Sequence, residues 1–226
     1  MSLIVLTGTA RGIGLEMARQ ARARGDEVIA LVRDPAAPVL AEIGVAALPL
    51  DVADPAAFEA LAPRLEAALG GRAIDLAVCN AGVLLGRGGL ATAPTPAQWA
   101  ESFAVNVTGV FLTATTLLPF LKKPGGRIAV IGSAMGSQAR APGGTYVYRA
   151  SKAAVANVAR NLAVDLRGEG VSVGVYHPGW VRTDMGGQEA DVDVRDSAAG
   201  LLARFDALGP ETTGVFEDYR GQAIPF

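Results

Sequence analysis

A regular alternation of short apolar runs with longer helical segments constrains this chain more than any other feature. Six runs are predicted to be strands: residues 3–7, 27–32, 46–50, 75–79, 127–131 and 171–176. Most of these runs are continuously apolar apart from one terminal residue and do not alternate with polar residues, which is typical of a parallel sheet covered on both faces. Because strands and helices alternate along the chain, they are expected to form βαβ units. The predicted fold class is therefore α/β, a doubly wound parallel sheet with helices on both faces.

The segments between the strands have helical patterns. Helices are predicted over residues 13–24, 35–43, 55–69, 96–121, 145–167 and 194–208. Asp54 and Pro55 form an N-cap and a first-turn proline, which together fix the start of the third helix. The chain has 226 residues, of which 50% are hydrophobic and 19% are charged, so it can bury one large core. Because no linker, repeat or low-complexity stretch interrupts it, we expect a single domain over residues 1–226.

The charge balance and the rare residue types argue against several classes of function. A net charge of −2 provides no electrostatic basis for binding nucleic acid or an anionic membrane. Cys79 and His177 are the only cysteine and the only histidine, which makes a poor set of metal ligands, and Cys79 lies in a predicted core strand. No signal-type segment precedes the first strand, and no uncharged run is expected to be long enough to span a bilayer. We therefore expect a cytoplasmic protein without a bound metal.

A glycine-rich turn follows the first predicted strand. The pattern Gly8-x-x-x-Gly12-x-Gly14 lies between a buried strand and an amphipathic helix, as a dinucleotide-binding turn requires. Glycine lets the backbone approach a pyrophosphate closely, and the free N–H groups of the helix N-terminus attract the anion. The sequence therefore predicts a Rossmann-type sheet that binds a dinucleotide. The expected contacts in this turn are Gly8, Arg11, Gly12, Ile13 and Gly14.

The end of the second predicted strand distinguishes NADPH from NADH. An NAD-binding protein usually has an acidic residue there to bind the ribose hydroxyls. Val32 occupies that position and Arg33 follows it, and the planar guanidinium of arginine binds a phosphate well. Arg11 is expected to reach the same phosphate. The alternative is that both arginines are solvated and that Asp34 pairs with one of them, but we favour NADPH over NADH as the cofactor.

Two further strand ends are candidates for contacts with the cofactor. Asp51 and Val52 close the third strand, where a carboxylate is able to accept the adenine amino group or simply to cap the next turn. The small segment Asn80-Ala81-Gly82 ends the fourth strand and suits close approach to the cofactor. Asn80 is equally compatible with a role as a turn former.

A tyrosine and a lysine mark the chemical half of the expected site. Tyr148 and Lys152 are four residues apart and therefore share one face of a predicted helix. An ammonium beside a phenol is expected to lower its pKa and make it a proton donor. Ser133 follows a hydrophobic run and competes with Ser137 as the hydroxyl partner. Tyr146 competes with Tyr148, but only Tyr148 has a lysine four residues further on.

Taken in order, these motifs resemble the short-chain dehydrogenase/reductase family, and the resemblance covers essentially the whole chain. The matching elements are Gly8-x-x-x-Gly12-Ile13-Gly14, Asn80-Ala81-Gly82, Asn106, Ser133, Tyr148-x-x-x-Lys152 and Pro178-Gly179. A closer resemblance is to the branch that contains C-factor and the sniffer-type carbonyl reductases. The segments that carry it are residues 11–16, 28–35, 178–187 and 213–225.

The resemblance implies a role for each residue of the chemical half. Tyr148 would protonate the developing alkoxide as hydride arrives from the nicotinamide, with Lys152 and the oxidised nicotinamide favouring the phenolate. Ser133 would hold the substrate oxygen by a hydrogen bond, and Lys152 would also bind the nicotinamide ribose. Asn106 would anchor a water that relays protons through Lys152, although it is also compatible with a purely backbone-bonding role.

The resemblance also implies where the nicotinamide and the substrate lie. Contacts with the nicotinamide end are expected from Pro178, Gly179, Val181 and Thr183, and substrate walls from Tyr146 and Trp180, whereas His177 is expected to be structural. The segment 184–193 is short, polar and rich in glycine, so we expect an open, shallow site. Small activated aldehydes, ketones or diketones are the expected substrates.

The sequence therefore predicts an NADPH-dependent oxidoreductase that interconverts small carbonyl compounds and alcohols through Ser133, Tyr148, Lys152 and Asn106. The alternative is a cofactor-binding signalling or regulatory protein, similar to C-factor, with little turnover. Helices 96–121 and 145–167 are apolar nearly all round, and a helix of that kind is usually buried on every side. We expect them to pair in a homodimer or homotetramer.

Overall fold

The computed structural model describes residues 1–226, and its centre is one parallel sheet of seven strands. The strands are β1 (Leu3–Thr7), β2 (Glu27–Val32), β3 (Ala46–Pro49), β4 (Leu76–Cys79), β5 (Arg127–Ile131), β6 (Ser172–His177) and β7 (Phe216–Asp218). Their order across the sheet is β3-β2-β1-β4-β5-β6-β7. The chain winds outward from β1 to β3 and then from β4 to β7, so the predicted doubly wound fold is confirmed.

Seven α-helices connect the strands. They are α1 (Gly12–Ala23), α2 (Pro38–Glu42), α3 (Pro55–Leu69), α4 (Pro96–Phe103), α5 (Gly109–Leu117), α6 (Tyr146–Asp165) and α7 (Val194–Asp206). The start of α3 is fixed as predicted, because the Asp54 carboxylate accepts a hydrogen bond from the Ala56 N–H at 3.0 Å and Pro55 is the first helical residue. All six predicted strands are present, and β7 is the strand that the prediction missed.

Both faces of the sheet are buried, which explains the continuous apolar runs. In β1, Leu3 and Val5 belong to one core cluster, whereas Ile4 and Leu6 belong to a second cluster on the opposite face. Successive side chains of a strand point to opposite faces, so residues 3–6 of β1 are all apolar because helices cover both sides. Cys79 is buried in the first cluster, as expected for a core thiol.

The predicted single helix 96–121 is divided into four pieces. A wide π-helical turn (Ala104–Thr108) separates α4 from α5, and a 3₁₀ turn (Leu118–Phe120) ends the segment. Pro96–Phe120 comprises 25 residues with a mean hydropathy of 1.5 in its most apolar stretch, which is sufficient by length and composition to cross a membrane. The expectation that no run would reach this length was wrong, because residues 102–121 carry no charge. A core helix passes the same test, and α5 packs onto the sheet through Val110, Ala114 and Leu117.

The parallel arrangement places the candidate residues at one edge of the sheet. Because all seven strands run in the same direction, the loops that follow β1, β2, β4, β5 and β6 emerge together at their carboxyl ends. These loops contain the glycine turn, Arg33, the 80–82 segment, Ser133 and the 178–193 segment. Tyr148 and Lys152 reach the same edge from the first turns of α6.

Candidate active site

The turn between β1 and α1 requires glycine. Gly8 has a φ of +69°, and a Cβ atom built on it would lie only 3.0 Å from both Ala81 Cα and Asn80 Nδ2. A Cβ on Gly14 would lie 2.2 Å from the Gly8 carbonyl oxygen. No side chain caps the N-terminus of α1 and no acidic residue occupies its first turn, so its N–H groups remain open to an anion. This turn therefore fits the pyrophosphate of a dinucleotide.

Hydrogen bonds between the ends of β1 and β4 hold the glycine turn in place. The Asn80 side chain donates from Nδ2 to the carbonyl oxygens of Thr7 at 3.0 Å and Gly8 at 3.1 Å. In return, the Thr7 hydroxyl accepts hydrogen bonds from the backbone N–H groups of Asn80 at 2.9 Å and Ala81 at 3.0 Å. Asn80 therefore organises the turn instead of simply forming one, and Thr7 is a contributor that the sequence analysis missed.

Arg33 lies at a hollow of about 290 Å³ beyond the end of β2, lined also by Leu50, Asp51 and Arg64 among others. Arg33 forms no ion pair. The alternative pairing of Asp34 with an arginine is wrong, because Asp34 forms no ion pair either, and its carboxylate accepts a hydrogen bond from the Ala36 N–H at 3.0 Å. Arg64 comes from α3, and no sequence signal distinguished it from any other helical arginine.

Arg11 and Asp51 have partners in this structure. The Arg11 guanidinium lies 3.4 Å from the Asp184 carboxylate, and both side chains are largely exposed. One Asp51 carboxylate oxygen accepts a hydrogen bond from the Ala53 N–H at 2.9 Å, which is the turn-capping role considered as an alternative to adenine binding. Val52 packs against α5, since a Cβ on Gly109 would lie 2.4 Å from the Val52 carbonyl oxygen.

Tyr148 and Lys152 are buried side by side on α6. Only 8% of the Tyr148 surface and 4% of the Lys152 surface is exposed. The Lys152 ammonium lies 5.8 Å from the centre of the Tyr148 ring and donates a hydrogen bond to the Ile131 carbonyl oxygen at 2.9 Å. Burial lowers the pKa of Lys152 to about 8, because it disfavours the charged form.

The expectation that Lys152 lowers the pKa of Tyr148 is not met in this structure. Burial raises the pKa of the Tyr148 phenol, and it outweighs hydrogen bonding by Ser133 and the charge of Arg87, which both act in the opposite direction. The four-residue spacing predicts that the two side chains lie side by side, but it does not predict how deeply they are buried. Burial has the largest effect on the pKa of Tyr148. The Tyr148 phenol therefore stays protonated and uncharged near pH 7.

Asn106 lies within the π-helical turn and is fully buried. Its amide donates to the Val83 carbonyl oxygen at 2.9 Å and to the Ser151 hydroxyl at 3.0 Å, and its Oδ1 accepts from the Val83 N–H at 2.9 Å. A Cβ on Gly82 would lie 3.3 Å from Asn106 Oδ1 and 3.6 Å from Lys152 Nζ. Asn106 therefore fixes the loop after β4 beside Lys152, and its role in a water relay remains a prediction.

The two serine candidates and the two wall candidates differ in their surroundings. Ser133 and Ser137 are both buried, but only Ser133 lies close enough to Tyr148 to lower the pKa of its phenol, whereas the Ser137 hydroxyl has no partner. Tyr146 is 37% exposed at the start of α6. Trp180 is 52% exposed, and its indole N–H donates to the Gly186 carbonyl oxygen at 2.8 Å. Ser133 is thus the serine that the structure brings to the phenol.

The loop after β6 folds back on itself and approaches the glycine turn. Val181 is buried and bridges to Val192, and the Thr183 hydroxyl accepts a hydrogen bond from the Gly186 N–H at 3.1 Å. A Cβ on Gly12 would lie 3.5 Å from Thr183 Cγ2, so this loop borders the cofactor turn. Where the loop begins, the Pro178 carbonyl oxygen accepts from the Ser197 hydroxyl at 2.7 Å, and Gly179 has a φ of +89°.

His177 lies at the end of β6, and its structural role stays a prediction. Its Nδ1 is buried without a partner, and burial lowers its pKa to about 4, so the ring is neutral near pH 7. No group of three His, Cys, Asp or Glu side chains is placed to hold a metal ion.

The fold and the site define the chain as a dinucleotide-binding oxidoreductase of the α/β class. The sequence model of the family described as short chain dehydrogenase matches residues 2–193. The chain belongs to the short-chain dehydrogenase family, as its motifs predicted.

Individual relatives support the closer resemblance as well. The chain is 39% identical over 158 residues to the C-signal protein of Myxococcus xanthus, an alignment covering 68% of this chain and 93% of that protein. The NADPH-bound carbonyl reductase from chicken fatty liver superposes with a TM-score of 0.91 at 29% identity, covering 100% of this chain and 99% of that one. The carbonyl reductase Sniffer of D. melanogaster gives a TM-score of 0.92 at 25% identity, with the same coverage. The predicted resemblance to the C-factor and sniffer-type branch is confirmed.

Proposed function

We propose that this protein is an NADPH-dependent reductase of small carbonyl compounds, with Tyr148 as the acid, Ser133 as the hydrogen-bond partner of the substrate oxygen, and Lys152 and Asn106 as supporting groups. The single observation that carries the proposal is the buried Lys152 ammonium. It has one neutral partner, the Ile131 carbonyl oxygen, and forms no ion pair. An unpaired buried cation destabilises a fold, so its presence beside a buried phenol favours a chemical role.

The burial of Tyr148 suits the role of an acid. Because its pKa is raised, the phenol keeps its proton near pH 7 until an oxygen that is becoming an alkoxide accepts it. Lys152 and Ser133 then stabilise the phenolate that remains, one by charge and one by hydrogen bonding. General acid–base catalysis of this kind typically contributes about 10²- to 10⁴-fold in rate.

Several groups would hold the cofactor. The glycine turn would bind the pyrophosphate, Arg33 and Arg64 would bind a phosphate on the adenosine ribose, and Lys152 would bind the nicotinamide ribose. When bound, NADPH supplies the hydride. The NADPH in the chicken carbonyl reductase supports this choice of cofactor, as does the arginine in place of an acid after β2.

Other residues at the carboxyl ends of the strands would make the remaining contacts with the cofactor and the substrate. Asp51 and Val52 would border the adenine, and Asn80, Ala81 and Gly82 would lie beneath the ribose and nicotinamide. Pro178, Gly179, Val181 and Thr183 would border the nicotinamide amide. Tyr146 and Trp180 would form the walls on the substrate side.

The second candidate is a cofactor-binding signalling protein with little turnover. The observation that favours it is the similarity to the C-signal protein. A signalling role alone gives no reason to bury Tyr148 and Lys152 together, so catalysis is the better-supported proposal. We further propose that the protein is cytoplasmic and forms homodimers or homotetramers.

The proposed function is tested by following NADPH oxidation with a panel of small aldehydes, ketones and diketones and identifying the alcohols formed. The same panel with NADH measures the preference for the cofactor. Alcohol formation that depends on NADPH supports the proposal. The signalling alternative is favoured if NADPH binds but none of the compounds is reduced.

A further inference from the structure

The loop after β4 carries a guanidinium that reaches across the mouth of the candidate site. Arg87 donates a hydrogen bond from Nη2 to the carbonyl oxygen of Met185, which lies in the loop after β6. The two residues are 98 positions apart in the chain. This contact therefore joins two loops that emerge separately from the carboxyl edge of the sheet.

The backbone of Arg87 is anchored to the start of the helix that carries Tyr148. A Cβ on Gly86 would lie 2.9 Å from Val147 Cγ1, so the loop packs closely on the residue before the tyrosine. The Gly88 carbonyl oxygen accepts a hydrogen bond from the Thr145 N–H at 2.7 Å. Both neighbours of Arg87 are thus held against the first residues of α6.

The far end of the Arg87 side chain contacts the loop that borders the cofactor turn. Met185 is two residues beyond Thr183, whose side chain lies 3.5 Å from the position of a Cβ on Gly12. The guanidinium therefore spans from the catalytic helix to the loop that borders the glycine turn. Its charge also acts on the Tyr148 phenol, where it favours the phenolate.

No carboxylate neutralises this guanidinium. Arg87 forms no ion pair, although its partner loop contains Asp184, Glu189 and Asp191. Asp184 pairs with Arg11 instead. A guanidinium has five N–H donors in a planar fork that matches a carboxylate, and a single neutral carbonyl oxygen uses only part of this capacity.

Two further arginines lie shortly after Ser133 and Tyr148 in the chain, at a hollow of their own. A hollow of about 460 Å³ begins at Ala134 and Met135, which directly follow Ser133, and is lined by Arg140 and Arg149. Neither arginine forms an ion pair. Arg87, Arg140 and Arg149 are therefore three arginines without ion pairs in the segments around Ser133 and Tyr148, and their charge favours the approach of an anion.

We propose that Arg87 is a specificity-determining residue that binds the carboxylate of an anionic substrate, exchanging the Met185 carbonyl oxygen for the two carboxylate oxygens. This inference rests on the proposed carbonyl reduction at Tyr148 and narrows its substrate class. The preferred substrates are small carbonyl compounds that carry a carboxylate beside the carbonyl group, such as 2-oxo acids.

A matched pair of substrates tests this inference. Benzoylformate and its methyl ester share the same ring and ketone and differ in charge. In the wild type, kcat/KM should favour the acid. Arg87→Gln should lower the acid-to-ester ratio of kcat/KM by about 10-fold or more, mainly through KM, because a charged hydrogen-bonded contact is lost. Arg87→Lys should retain part of the preference.

Arg167→Gln is the matched control for loss of one positive charge. Arg167 follows α6 at the opposite edge of the sheet, where the chain enters β6. This variant should keep the acid-to-ester ratio within about twofold of the wild type, as expected for a distant, screened charge. If Arg87→Gln leaves the ratio unchanged while Tyr148-dependent reduction continues, the assignment of Arg87 is wrong and the proposed function stands.

A binding measurement tests the contact between Arg87 and the carboxylate without requiring turnover. Benzoylformate is titrated calorimetrically into the wild type and Arg87→Gln, each saturated with NADP⁺. A loss of affinity of about 10-fold or more in the variant supports the carboxylate contact even if no compound is reduced. Equal affinity in both proteins, or no binding to the wild type, overturns it.

Discussion

The Lys152 ammonium donates a hydrogen bond to the Ile131 carbonyl oxygen at 2.9 Å, with no carboxylate to balance its charge. Ile131 ends β5, two residues before Ser133, so this bond joins the helix that carries Tyr148 to the strand that positions the serine. Burial lowers the pKa of Lys152 to about 8. The site therefore contains a cation that is charged at pH 7 and neutral at moderately alkaline pH.

The first prediction concerns stability as a function of pH. The pKa of Lys152 is about 8 in the folded protein against 10.5 for a free lysine side chain. Between these values the unfolded chain binds a proton that the folded protein has released. Lys152 therefore increases the free energy of unfolding as pH rises through this range. Relative to Lys152→Met, the wild type should become more stable by up to about 3 kcal/mol across this window.

Urea unfolding of both proteins between pH 7 and pH 10.5 measures this difference, with the pH range set by the two pKa values. Lys152→Met should also lose turnover. A free-energy difference between the two proteins that does not change with pH would show that the ammonium is not desolvated as described.

The second prediction concerns the choice of cofactor. NADPH should bind more tightly than NADH, and Arg33→Ala should weaken NADPH binding by about 1.5–3 kcal/mol, since a charge-assisted contact is lost. Arg64→Ala should act in the same direction because Arg64 lines the same hollow. Arg167→Ala is the control for charge and should leave both affinities unchanged. Equal affinities of the wild type for the two cofactors would contradict the assignment.

The regular part of the fold was predictable from local patterns. The apolar runs identified six strands, and Asp54 with Pro55 fixed the start of α3, because those signals lie within the elements themselves. Strand β7 was missed because it has three residues and is stabilised by pairing with β6. The π-helical turn at Ala104–Thr108 was missed because the contacts of Asn106 come from Val83 and Ser151, far away in the sequence.

The candidate site was predictable where spacing alone carries the information. The four-residue separation of Tyr148 and Lys152 indicated that they share a helix face, and the glycine spacing indicated the turn. The pKa of Tyr148 was not predictable, because it depends on burial by the whole tertiary structure. Thr7, Arg64 and Arg87 were missed because each acts through residues from a distant part of the chain.

The third prediction concerns assembly. Phe111 on α5 and Val164 on α6 are 44% and 68% exposed, and we expect exposed apolar side chains on these two helices to be covered by a second copy of the chain. Sedimentation of the wild type at micromolar concentration should show at least a dimer. Phe111→Glu should shift the association equilibrium toward monomer. Leu90→Glu is the control, since Leu90 is 79% exposed outside both helices. A monomer of 23.1 kDa for the wild type would refute the prediction.

The fourth prediction concerns the size of the substrate. The loop over residues 184–193 is compact, and Met185 is its one large apolar side chain with substantial exposure, at 38%. At about 25 cal/mol per Å² of buried apolar area, such a loop cannot contribute much to binding a steroid-sized ligand. Small activated carbonyl compounds should therefore be reduced with high KM. Turnover of a steroid or a long acyl thioester with a sub-micromolar KM would show that the site is deeper than described.

The most direct test of the account compares Tyr148→Phe with Tyr146→Phe in NADPH oxidation with an activated small ketone or diketone. The two tyrosines are two residues apart on α6, but only Tyr148 is buried with Lys152 and Ser133. Tyr148→Phe should abolish turnover while NADPH still binds, because the hydroxyl supplies the proton and little of the cofactor contact. Tyr146→Phe should retain much of the activity. Full activity in Tyr148→Phe, or its loss only in Tyr146→Phe, would contradict the assignment of Tyr148 as the acid.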